Sequence, residues 1–169
     1  MGEVKDGKYF YQDDCTPNDI ANIALDLHPD DEKELLAGGF LLSSGDKHEC
    51  LKRCVSNSAK TYAIRCSATD LTMAIGGYTT YGNCWFLSSE WLLELTAEER
   101  KDFRGLLMQN LMNTLKLFPV LSNMAWAKNT QHLRLIQACG GRIGTSGYMP
   151  NGEEFVYFEF RREDYPQLN

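Results

Sequence analysis

At 169 residues, with 43% apolar and 24% charged side chains, the chain has the length and composition of one globular domain rather than of a disordered segment. Its net charge of −6 and pI of about 5.1 argue against broad binding of nucleic acid or anionic membrane, which needs a cationic surface. No apolar run approaches the roughly 18 residues of a membrane span, and the polar, acidic start MGEVKDGKYFYQDD does not read as a signal peptide.

Lys8 to Asp14 is aromatic-rich and reads as a first strand. Thr16-Pro17-Asn18-Asp19 opens a helix. Thr16 suits the N-cap, Pro17 the first turn, and Asp19 the N3 position of a capping box. Ile20, Ile23, Ala24 and Leu27 follow at helical spacing. His28-Pro29 breaks that helix, and a short second one ends at Gly38-Gly39. A third covers Lys47 to Ser56. Thr61 to Cys66 and Leu71 to Gly77 read as paired strands, and Asn83 to Leu87 as a further strand, central by its apolar content.

Thr96 and Glu99 make a second capping box. The long helix behind it runs through about Phe118, with Phe103, Leu106, Leu107, Asn110, Leu111, Thr114 and Leu117 on its inner face. Met108, Leu111, Met112 and Leu115 make its apolar surface wider than one stripe. Pro119 ends it. Leu121 to Ala127 is a strand, Asn129 caps a helix that stops before Gly140-Gly141, and Ile143 to Gly147 and Glu154 to Phe160 are the last strands. The polar tail, about 162–169, reads as loose. The order predicts one α/β (α+β) domain over residues 1–169, with a mixed, mainly antiparallel sheet and helices on both faces.

Six cysteines, without an export signal, read as free thiols in a reducing compartment. Cys50 and Cys54 lie one helical turn apart without a second ligand pair at metal spacing, so no metal site is expected.

Two segments carry a resemblance to the GNAT acyltransferase superfamily. One is Asn129 to Gly140 (NTQHLRLIQACG), and the other is the strand pair Met73–Gly77 (MAIGG) and Cys84–Leu87 (CWFL). A narrower resemblance spans roughly residues 70 to 160. Gly76-Gly77, Cys84 to Ser89, Lys101 to Met108 and Asn129 to Arg134 are similar to the internal virion protein A family of podophages.

The GNAT resemblance implies acetyl-CoA held between two splayed central strands. Its pyrophosphate would rest on free N–H groups at the start of the long helix, beside a glycine-rich loop. Here the corresponding stretch, Glu94 to Arg100, has no glycine. Its N-terminal N–H groups are claimed by Thr96 and Glu99, and Glu98 and Glu99 repel an anion. The superfamily's general-acid tyrosine falls on Ile136, which has no proton to give. Glu90, Glu94 and His132 are candidates for a general base by residue type alone, and Cys84 lacks a partner that would make it a nucleophile. If acyl-CoA were bound, Trp85, Phe86, Leu87, Arg100 and Asn129 would hold it.

The expectation is therefore a phage-encoded, GNAT-like protein without catalytic activity or cofactor. It would act in the host cytoplasm or the virion, in assembly of the internal core or on a host protein. The alternative is an acetyl-CoA-dependent N-acyltransferase acting on a protein or small amine. A third option is an inhibitor of a host defence or host enzyme that uses the acidic surface, which clustering of Asp30, Asp31, Glu32 and Glu34 into one exposed patch would favour.

Overall fold

A computed structural model describes residues 8–168 of the protein. In chain order the elements are β1 (Phe10–Asp13), α1 (Pro17–Leu25), α2 (Pro29–Ala37), α3 (Lys47–Ser56), β2 (Lys60–Cys66), β3 (Thr72–Tyr78) and β4 (Cys84–Ser88). They continue with α4 (Ala97–Leu115), β5 (Val120–Trp126), α5 (Thr130–Ala138), β6 (Arg142–Tyr148) and β7 (Glu154–Arg161). Short 3₁₀ turns lie between, one of them over Glu90–Glu94. The mixed architecture expected from the sequence is present.

The strands form two antiparallel sheets, ordered β1-β2-β3-β4 and β5-β7-β6. Alternation along each strand decides which side chains go to which face. The pair Ala63↔Ile75 turns to one side, where it meets Ile23, Leu51 and Leu87. The next pair, Ile64↔Ala74, turns to the other and meets Phe103 and Leu107 of α4. Helices α1 and α3 thus cover one face of the first sheet and α4 the other. A third apolar cluster, including Leu115, Leu121, Ile136, Phe158 and Phe160, joins α4 and α5 to the second sheet. Each such side chain contributes roughly 1.5–3 kcal/mol by leaving water.

Both predicted capping boxes form. Thr16 Oγ1 accepts from Asp19 N and Asp19 Oδ2 from Thr16 N at 2.8 Å. Thr96 and Glu99 make the same exchange at 3.2 and 3.0 Å. Three sequence readings are corrected. Helix α4 ends at Leu115, so Leu117 lies beyond it and is exposed. Strand β4 is the last strand of its sheet rather than an interior one. Residues 162–168 of the tail are not loose, residue 169 lying outside the described residues: Arg162 Nε donates to Leu115 O, and Tyr165 is 4% exposed with its hydroxyl donating to Cys139 O. Leu168 packs on the cluster containing Met108 and Met112, which accounts for the extra width of that helix face. Tyr165→Phe, which removes that hydroxyl and leaves the carbonyl buried, is expected to lose about 1–2 kcal/mol in urea unfolding.

Candidate functional site

The two sheets meet along β4 and β5, which run parallel. They touch only at the start of each strand. Asn83 and Ser122 form a single bridge, Ser122 N donates to Gly82 O at 3.0 Å, and the Asn123 amide donates to Cys84 O at 2.8 Å. Beyond these bonds the strands separate and leave a V-shaped cleft of about 390 Å³. Its walls are largely apolar, with Trp85, Phe86 and Leu87 from β4, Leu107 and Leu111 from α4, and Ile136 from α5. Tyr62 also reaches it from β2, lying across Gly76 of β3, where a Cβ would collide with the phenol oxygen. Burial pushes the Tyr62 hydroxyl well above its ordinary pKa.

The open end of the V is closed by α2. Asp31, buried, accepts from Ser88 N at 2.9 Å and Ser88 Oγ at 2.8 Å, and so holds β4. One turn on, Glu34 accepts from Trp126 N at 2.6 Å and so holds β5. It also meets His132 Nδ1 at 3.0 Å. Asn129, 1% exposed, caps α5 through His132 N and turns its amide toward Asp31 and Glu34 at 3.4 Å. Burial alone would lower the His132 pKa. The hydrogen bond and charge of Glu34 outweigh it, and the imidazole sits above its ordinary value. Desolvation raises the Asp31 carboxyl.

These bonds also occupy the free edge of β4. Cys84 O is taken by Asn123, Ser88 N by Asp31, and Ser88 O by His28 N at 2.9 Å. By the two-residue alternation of a strand, the N–H and C=O of Phe86 are the β4 groups still facing the cleft.

The residues singled out in the sequence separate. Trp85, Phe86, Leu87 and His132 line the cleft. Asn129 lies behind it as a helix cap. Arg100 is exposed on the first turn of α4, and Glu90 is exposed beyond the end of β4, both outside the cleft. Cys84 lies at the cleft, but burial pushes its thiol up to about 12, which leaves little thiolate at neutral pH. The cysteines are free. Asp31 and Glu34 turn inward, so the acidic run of α2 is not one exposed patch. Sequence reasoning missed Asp31, Glu34, Tyr62 and Asn123. Period alone held a clue to the first two: Asp31, Glu34 and Leu35 share the inner side of α2.

The arrangement matches solved acetyltransferases along nearly its whole length. A GNAT-family acetyltransferase from Bacillus anthracis superposes with a TM-score of 0.66 at 11% identity, covering 92% of this chain and 96% of that one. The ribosomal-protein-S5-alanine acetyltransferase of Vibrio fischeri gives a TM-score of 0.60 at 11% identity, over 95% and 97%. The fold is that of the GNAT acetyltransferases. In sequence the chain points elsewhere. The family described as bacteriophage T7, probable scaffold protein Gp13, matches residues 62–145. The probable scaffold protein gp13 of Escherichia phage T7 is 28% identical over 107 residues, which make up 63% of this chain and 67% of that protein. The matched span runs from within β2 through α5, and so includes both walls of the V. This GNAT-fold chain is thus similar to a phage scaffold protein.

Proposed function

We propose that the protein is a non-catalytic, GNAT-fold component of phage virion assembly, acting in formation of the internal core. One observation carries this reading: most of the groups that the GNAT resemblance assigns to a cofactor are already bonded within the chain. At the start of α4, Thr96 N and Glu99 N are occupied by the capping box, and Glu98 and Glu99 add negative charge where a pyrophosphate would sit. Along the V, the Asp31 carboxylate, the His28 N–H and the Asn123 amide occupy all but one residue of the β4 edge. Where the GNAT resemblance places a catalytic tyrosine, the chain has buried Ile136. These residues do not fit an acyl-CoA. The sequence similarity to a phage scaffold protein supports the assembly role, and the podophage resemblance supports the internal virion protein assignment.

A second reading, an acyltransferase with an altered cofactor site, is favoured by one feature. Glu34 and His132 form a hydrogen-bonded carboxylate–imidazole pair on the wall of an apolar cleft. A phage carrying an amber stop in this gene separates the readings. Grown in a non-suppressing host, it is expected to release particles lacking internal core protein, and the His132→Ala protein supplied in trans is expected to restore them. Normal particles without the protein would contradict the assembly role.

A further inference from the structure

We propose that the segment between β4 and α4, together with the end of α1, is a docking surface for a basic amphipathic segment of a partner protein. The surface is built around the 3₁₀ turn Glu90–Glu94. Leu92 and Leu95, three residues apart, pack inward against the cluster of Phe103 and Leu107. A three-residue repeat then puts Glu90 with Leu93, and Trp91 with Glu94, on the two outward edges. Trp91 is 44% exposed, Leu93 50%, and Leu25 of α1 79%. Apolar and acidic side chains therefore alternate along the turn, and Leu25 lies one residue before Asp26, which bonds Trp91.

The turn is held rigidly, so these exposures are not those of a frayed loop. Ser89, 1% exposed, caps the turn by accepting from Trp91 N and bridges to Leu27. Asp26 accepts from Glu90 N at 2.7 Å through its carbonyl and from Trp91 Nε1 at 3.2 Å through its carboxylate. Such fixing removes ordering cost from a later association.

Charge selects the occupant. From Glu90 to Glu99 the chain carries four carboxylates and no lysine or arginine. Among the described residues, no hydrogen bond or ion pair engages the carboxylates of Glu90 and Glu94. A second copy of this chain, itself at net charge −6, fits poorly. A lysine- or arginine-rich helix with an apolar stripe fits both elements: its stripe covers Trp91, Leu93 and Leu25, and its cations meet Glu90 and Glu94. An assembly component needs such a partner-facing surface, so the proposal deepens the assembly reading. Its test does not depend on particles.

The test is fluorescence anisotropy of a short labelled amphipathic helical peptide of leucine and lysine, at an ionic strength of about 0.15 M. The wild-type protein is expected to bind it. The pair Trp91→Ser with Leu93→Ser, and separately the pair Glu90→Gln with Glu94→Gln, are each expected to weaken binding by about tenfold or more. The control pair Asp14→Asn with Glu49→Gln removes the same charge elsewhere and is expected to change nothing. Circular dichroism melts show that each variant is folded. Three results would overturn the proposal. The wild type fails to bind, the control pair weakens binding as much as the site pairs, or sedimentation shows self-association that the Trp91/Leu93 pair abolishes. Failure here alongside a core-less amber phenotype would leave the assembly reading standing and remove only this surface.

Discussion

Arg65→Ala is expected to destabilise the protein by about 3 kcal/mol or more, the loss typical of breaking a buried ion pair from one side. Arg65 ties β2 to the start of α1. Its Nε and Nη2 donate to Asp19 at 2.8 and 2.7 Å, and its Nη1 lies 3.2 Å from Asp13. Asp19 is 1% exposed and also receives Thr72 Oγ1 at 2.6 Å and Thr16 N at 2.8 Å. Without the guanidinium that carboxylate is left buried with hydroxyl and amide partners alone. Burial by itself would raise the Asp19 pKa. The bonds from Arg65, Thr72 and Thr16 overcome this and hold the carboxyl at about 2. A carboxyl depressed below its unfolded value near 3.8 stabilises the fold fully above that pH, and the contribution is lost as pH falls toward 2. Arg65→Ala therefore lowers stability at neutral pH and moves the acid-unfolding midpoint upward. Urea titration at pH 7 and an acid titration followed by circular dichroism read both effects. A loss below about 1 kcal/mol would mean that the threonines alone hold Asp19.

The second large effect is expected at the mouth of the V. Glu34→Ala removes the acceptor of Trp126 N and the partner of His132, both of which remain largely buried, at a cost of about 2–4 kcal/mol. Glu34→Gln keeps an oxygen for Trp126 and loses the charge facing His132, so it is expected to cost less. The pH dependence gives a sharper signature. In the wild type His132 is raised above 6.5, through Glu34 and against burial. Its contribution is fully present below that pH and disappears as pH rises through the raised value. In Glu34→Gln the hydrogen bond and charge of Glu34 are lost, only Asp31 still opposes burial, the imidazole falls, and the decline in stability as pH rises above 6.5 shrinks. Chemical-shift titration of the His132 ring and urea midpoints across the same range check the two halves. An unchanged His132 titration in Glu34→Gln would show that the pair is not electrostatically linked.

Much of the fold was legible because its signals are local. The capping boxes at Thr16 and Thr96 and the cap at Asn129 follow from side chains bonding three residues along the chain, and the Gly38-Gly39 stop from a glycine that takes a positive φ. The cleft was legible as a β4 wall of Trp85, Phe86 and Leu87 and as His132. Its closure was not. Glu34 meets His132 across 98 positions and Asp31 meets Ser88 across 57, and no spacing rule reaches so far. An acidic run such as Asp30 to Glu34 reads as a solvated face until the partner strands are placed. The tail failed for the same reason, because Arg162 and Tyr165 anchor to Leu115 and Cys139 rather than to neighbours.

The proposed function rests on a GNAT fold whose cofactor groups are largely taken up by internal bonds. Calorimetric titration with acetyl-CoA at moderate salt tests it most directly. No heat of binding is expected at high ligand concentration, for the wild type and for Glu34→Gln alike. Micromolar binding by the wild type would contradict it, because the Thr96–Glu99 cap and the α2 carboxylates would then have to yield to the ligand.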